Sequence, residues 1–299
     1  MAIIRKYTGK RSYDLFSNQS HCLPGIGGMM LLFVLFLAGA LLGNVIVIGL
    51  NLVSAEFAAT YGTLISYPVM FIPPFLYASA NSRRNEYFEK GYAIDSNNFG
   101  KLGGFKAALM VSVATLALAF IADSLNSIMP ETPEWFEDAM KQIMDAPLWI
   151  SLISVSVFAP LFEEWLCRGL VLRGLLQKTS PAAAICISAI FFAVLHMNPW
   201  QALPAFILGV LFGYVYYKTG SLKLTMLMHC VNNTLALLFS RIPSFEEADS
   251  FMDVMSTWSY VCIFIACIAF LGGAIITLRE IPMKEGARSN CDEVDALSI

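Results

Sequence analysis

The chain has 299 residues, of which 57% are hydrophobic and only 14% charged, with a formal net charge of -3. Soluble domains carry about a quarter charged residues, so this composition and a mean hydropathy of +0.65 exclude a soluble domain and define a polytopic membrane protein. Nucleic acid is excluded as a partner, because the 19 Lys and Arg are scattered at helix ends rather than gathered on one face. The seven cysteines form no CxxC pair and most lie in apolar runs, where Cys acts as a small hydrophobe; this argues against a disulfide framework or a cysteine-held zinc.

In chain order, Arg5, Lys6, Lys10 and Arg11 precede an apolar segment that is long enough to span and has no clear small-residue cleavage site, so it reads as a retained helix rather than a signal peptide. Given that a span needs about 17–25 residues, eight segments qualify: 25–52, 59–80, 105–128, 148–176, 181–197, 201–219, 221–240 and 257–278. Pro68, Pro73 and Pro74 predict a kink or an early end in the second. Between the third and fourth, TPEWFEDAMKQIMD at 132–145 predicts a short helix with Thr132 as cap, Pro133 in the first turn and Glu134 at the positive end of the dipole. Two placements stay open for it: flat on the membrane surface through Trp135, Phe136, Met140, Ile143 and Met144, or packed as a cap over the bundle.

Loop charge orients the bundle. The N-terminal segment, Arg83, Arg84, Lys90 and Lys101 of the 81–104 loop, Arg173 with Lys178, and Lys218 with Lys223 mark one side. The 130–147 and 241–256 loops each carry one base, against five and four acids. Because Lys and Arg favour the cytoplasmic side, the pattern predicts an all-α transmembrane bundle of eight spans with both termini cytoplasmic.

Chemistry concentrates in a few polar residues within the apolar runs. Glu163, Glu164 and Arg168 lie in the fourth span, where insertion of an Asp, Lys or Arg at mid-membrane costs about 2.5–3.5 kcal/mol each. Glu164 and Arg168 are four apart with the acid first, the better orientation for an intrahelical pair. Glu163 points about 100° away and needs a partner from another helix or a water-filled cavity. Of the three histidines, His21 falls in a polar stretch before the first span and reads as a solvated loop residue. His196 and His229 fall in apolar runs; His229 shares a face with Asn233, as Phe192 does with His196. A structural cluster pinning helices together, a transporter interior and a catalytic site all remain compatible with these residues.

Three motifs then occur in order. EEWLCR at 163–168 fits EExxxR, FAVLH at 192–196 fits FxxxH and HCVNN at 229–233 fits HxxxN. The chain thereby resembles the CPBP family, also called Abi: intramembrane proteases that include type II CAAX prenyl endopeptidases and bacteriocin-processing or self-immunity proteins. The resemblance implies a peptide or membrane-protein substrate in the lipid bilayer, with Glu163 and His196 activating water and His229 and Asn233 stabilising the oxyanion. It makes Glu164 and Arg168 a supporting pair and Phe192 a packing neighbour. Glu163, His196 and His229 also have the ligand types of a His2Glu Zn2+ site, but no HExxH helix is present; the reading leans towards a metal-free mechanism. The non-proteolytic alternatives are a membrane scaffold, a self-immunity protein or a transporter.

The chain accordingly divides into a cytoplasmic segment at 1–24, N-terminal helices at 25–128 with the cytoplasmic loop 81–104, a catalytic core at 148–240, a last span at 257–278 and a tail at 279–299. In a bacterium it would sit in the inner membrane. Straight helices leave one conflict: His196 falls near the outer end of its span, whereas Glu163 and His229 lie deeper. The three meet only if the 181–197 span is tilted, displaced or shorter than drawn.

Overall fold

The computed structural model describes residues 16–86, 93–125, 129–246, 248 and 250–282. Arg5, Lys6, Lys10, Arg11, Lys90 and the tail from 283 lie outside the described residues. Among those described, every regular element is helical. The long helices are α1 (Ile26–Val53), α2 (Ala55–Met70), α3 (Ile72–Asn85), α4 (Gly103–Asp123), the surface helix α5 (Glu134–Asp145), α6 (Leu148–Leu175), α7 (Pro181–Leu195), α8 (Pro199–Thr219), α9 (Leu222–Phe239) and α10 (Thr257–Arg279).

Helix ends sort into two groups that are bonded to one another across the chain. At one end Ser96 Oγ donates to Thr219 O at 2.8 Å, Lys218 Nζ to Arg279 O at 3.0 Å, and Lys223 pairs with Asp95 at 3.0 Å. Arg173 Nη2 donates there to Gln19 O and Cys22 O, both at 3.0 Å, and ties residues 16–25 beneath α6. At the other end Trp200 Nε1 donates to Pro130 O at 2.8 Å, Arg241 Nη2 to Ala146 O at 2.8 Å, and Phe251 N to Asp123 Oδ2 at 2.8 Å. Among the described residues, the ends that carry Arg83 and Arg84, Arg173 and Lys178, and Lys218 and Lys223 all lie at the first end. Arg173, counted as a loop cation, is instead buried at the end of α6. His21 differs too: it is half-buried, with its backbone N–H on Ser82 Oγ, rather than a solvated loop residue.

Seven helices are long and apolar enough to cross a membrane, counting α2 and α3 as one. The eighth transit belongs to α7, whose 15 residues rise only about 22 Å against a hydrocarbon core of about 30 Å. Its two neighbours nevertheless connect to opposite ends of the bundle, so α7 leads the chain from one end to the other. The outer helices leave their apolar side chains to lipid: Val45, Ile48 and Leu52 on α1, and Ile265 and Ile276 on α10, are exposed. This is what a bilayer requires, since lipid tails are as apolar as Leu.

Prolines shape the two helices nearest the centre. Pro73 and Pro74 lack the N–H groups that Val69 and Met70 carbonyls need, so the second span breaks at Phe71 into α2 and α3, as expected. Gly39 of α1 packs on the Met70 carbonyl released by that break; a Cβ there would lie 2.1 Å from Met70 O. In α6, π-helical turns run over Leu152–Phe158 and Trp165–Leu172, with an α segment, Ala159–Glu164, between them. Such widened turns are rare and are frequently found at functional sites.

On α5, Pro133 rather than Thr132 takes the N-cap position, and the Thr132 hydroxyl bonds the Glu137 side chain instead. The packed placement is seen in Phe136, whose ring lies 5.3 Å from that of Trp200, while Trp135 is 60% exposed.

The sorting of helix ends predicts accessibility. In a chain whose native cysteines are replaced, Glu137→Cys and Asn97→Cys, both at exposed positions, react with an impermeant maleimide from opposite faces of sealed vesicles, Asn97→Cys from the cytoplasmic face. Labelling of both from one face overturns the topology.

Candidate active site

The central charge pair forms as its spacing predicts. Arg168 Nη1 donates to Glu164 Oε1 at 2.8 Å, and neither side chain has any solvent exposure. Arg168 Nη2 donates to the carbonyl of Gly209 on α8 at 3.0 Å. Its guanidinium carbon lies 4.6 Å from the Phe192 centroid and 5.4 Å from that of Phe212, where the ring faces attract a cation. The approach depends on glycine at 209: a Cβ would sit 3.3 Å from Arg168 Nη2 and 3.2 Å from Ala189 Cβ.

Glu164 has a second partner that its spacing does not reveal. Nδ1 of His229, on α9, lies 3.1 Å from the same Glu164 Oε1. An ionised carboxylate only accepts, so Nδ1 carries the hydrogen and the ring is fixed in orientation. Its other nitrogen, Nε2, then faces Glu163, 3.8 Å from Oε2. Phe192 stands edge-on to the His229 ring at 5.5 Å, and Phe212 lies 5.8 Å away.

Glu163, 13% exposed at the side chain, is not unpartnered. The hydroxyl of Tyr67, reaching from α2, donates to its Oε1. Oε2 is buried and has no hydrogen-bond partner. The two carboxyl oxygens thus have different surroundings, one held by a phenol and the other turned towards His229.

His196 and Asn233 stand further out. His196 caps α7 with Nδ1 3.0 Å from Phe192 O, and its ring lies edge-on to Phe192 at 5.1 Å. No hydrogen bond or ion pair joins it to Glu163 or His229 among the described residues; Phe192 stands between the two imidazoles. α7 ends at Leu195, two residues short of the expected span, and Phe192 contacts both the His196 and the His229 rings. Asn233 Nδ2 donates to Val155 O at 2.9 Å, and Asn233 Oδ1 accepts from Asn232 Nδ2 at 3.1 Å. That carbonyl is available for a physical reason: five residues on is Pro160, which has no N–H, while Ala159 N–H bonds Ser154 O.

Sequence reasoning did not find Tyr67, Phe212 or Gly209. A single Tyr in an apolar span has no local pattern, and its meeting with Glu163 joins positions 96 apart. The third ligand of a His2Glu metal set is displaced, and no three His, Cys, Asp or Glu among the described residues are grouped to hold a metal ion. The residues as arranged do not fit such a centre.

A many-times-crossing helical bundle with a dry Arg–Glu–His network defines an integral membrane protein with a polar interior site. Residues 145–235, from the end of α5 into α9, match the family described as type II CAAX prenyl endopeptidase, Rce1-like. This stretch is therefore similar to that family of CAAX-type proteases, and it contains all three motifs. No curated protein and no solved structure matches the chain.

Burial makes the Arg168 pair the more sensitive part of the site for stability. Arg168→Ala strands a buried carboxylate, a loss of about 3–5 kcal/mol. Glu163→Ala removes one acceptor from the Tyr67 hydroxyl, about 1–3 kcal/mol. Melting in detergent ranks them in that order; equal losses mean that Glu164 does not depend on Arg168.

Proposed function

We propose that the chain is an intramembrane endopeptidase in which Glu163 is the general base, with His196, His229 and Asn233 completing the machinery. The observation that carries this reading is the bare Oε2 of Glu163 facing His229 Nε2 at 3.8 Å. With His229 Nδ1–H directed at Glu164, the reaction proposed here places a second hydrogen on Nε2. On His229 Nε2 that proton makes the ring a donor, countered by Glu164 at its far side, and leaves Glu163 Oε2 free to take a proton from water.

Hydrolysis then runs through this chain's own groups. Water hydrogen-bonded to Glu163 Oε2 attacks the scissile carbonyl carbon as its proton passes to that oxygen. His196, whose Nε2 is left open by the Nδ1 contact with Phe192 O, shares in holding the water. The developing oxyanion receives His229 Nε2–H and the second Nδ2 hydrogen of Asn233, one turn along α9. As the C–N bond breaks, Glu163 returns the proton to the leaving amine, ending as the carboxylate. Donors fixed in a dry site need little rearrangement during the reaction, which is where their effect on rate arises. The substrate is a peptide or membrane-protein segment presented from the bilayer; the family's name makes a prenylated CAAX peptide the first probe.

The roles are separable by substitution. Glu163→Ala, His196→Ala, His229→Ala and Asn233→Ala each lower cleavage of an internally quenched prenylated CAAX peptide by about 10²–10⁴-fold, the range for losing a base or an oxyanion donor. Because such groups act as a unit, the Glu163→Ala, His196→Ala double variant is hardly worse than either alone. His21→Ala stays active. Membrane proteomics of cells with wild-type chain against Glu163→Ala shows a fragment only with the former. An active Glu163→Ala protein, or losses that simply add, returns the site to a scaffold or a transporter.

A further inference from the structure

We infer that Tyr67 is a positioning residue for the base, so that the site is completed by a helix outside the stretch that matches the protease family. This rests on the assignment of Glu163 as general base. The matched stretch begins at residue 145, whereas Tyr67 belongs to the last turn of α2. Its hydroxyl donates to Glu163 Oε1, and a carboxylate acceptor leaves the phenol no other role in that bond.

Surrounding contacts hold the phenol in place. Phe71, one turn on and 1% exposed, stacks on Phe162 with centroids 5.2 Å apart and planes at 17°. Phe162 is the neighbour of Glu163 in the chain, and the Tyr67 ring lies 5.8 Å from Phe71. The two helices are thereby clamped through aromatic rings directly beside the bond, and the Tyr67 hydroxyl has little freedom to leave Glu163.

The consequence is directional. A free carboxylate on a flexible stem presents either oxygen as base and turns about its last bond. With Oε1 occupied by a fixed donor, the plane of the group is set and Oε2 alone faces His229. Tyr67 does not touch the reacting atoms; it makes one oxygen the base and points it. Removing the hydroxyl therefore affects the chemical step and leaves substrate binding unaltered.

Tyr67→Phe removes the hydroxyl and keeps the ring. Measured on the full chain in detergent with the quenched prenylated CAAX peptide, it lowers kcat about 10- to 100-fold, the scale of one hydrogen bond to a charged group. KM stays within about 2-fold, as expected when ground-state binding is untouched. The protein stays folded, with a fall in melting temperature no larger than that of an unsatisfied hydrogen-bond partner, and Tyr61→Phe on the same helix is the unaffected control. The Glu163 carboxylate band, taken as the infrared difference between wild type and Glu163→Gln, shifts in the Tyr67→Phe background. Unchanged kcat, a rise in KM alone, or an unmoved band overturns the inference. If Tyr67→Phe does not fold, a fluorinated tyrosine at position 67 retains the ring and hydroxyl with altered acidity; kcat must then change, and constancy overturns it. If Glu163→Gln still cleaves the peptide, it is the base assignment that falls; an inert Glu163→Gln beside a fully active Tyr67→Phe removes Tyr67 alone.

Discussion

A guanidinium with no access to water sets the terms for this molecule. Arg168 cannot shed its charge, so each group around it answers a need of that cation: the carboxylate of Glu164, the carbonyl of Gly209, and the faces of Phe192 and Phe212. These come from three helices, α6, α7 and α8, and fix their relative rotation. The same Glu164 oxygen that balances Arg168 also orients His229 on α9. One counter-charge therefore organises both the packing of the bundle and the aim of an imidazole.

Backbone irregularity supplies the rest. Inside hydrocarbon each unpaired backbone group costs several kcal/mol, so departures from the α-helix survive only where protein groups take up the loose ends. The π turns of α6 and Pro160 leave the Val155 carbonyl without its usual donor, and Asn233 fills that need. In this state, then, Asn233 stabilises the helix that carries the glutamates, and its first hydrogen bond is structural. The short α7 departs differently: by ending early it brings His196 to within one ring of His229.

How much of this was legible in the sequence follows from how local each signal is. The Glu164–Arg168 pair, the shared face of His229 and Asn233, and the break near Pro73 and Pro74 all rest on spacings within about one turn, which helical geometry makes explicit. Loop charge groups the described helix ends as the structure does, although Arg173 and Lys218, two of the residues counted, are buried. Tyr67, Gly209 and the link from His229 to Glu164 were not legible, because each is a meeting between distant helices with no trace in local composition. The end of α7 was not legible either: an apolar run shows where a helix is permitted, whereas its end is set by the turn at Met197, whose φ is +54°, and by the cap that Asn198 gives to α8.

The contact of Gly39 with the Met70 carbonyl reaches beyond packing. Hydrocarbon has no donors or dipoles to offer a released carbonyl, so the break between α2 and α3 must turn that carbonyl towards protein, and α1 is the surface that receives it. A methyl group added at Gly39 would meet that carbonyl at 2.1 Å and force the end of α2 outward, carrying Tyr67 with it. A hydrogen atom on a lipid-facing helix, in contact with none of the polar residues, thus sets the distance at which a phenol meets the carboxylate.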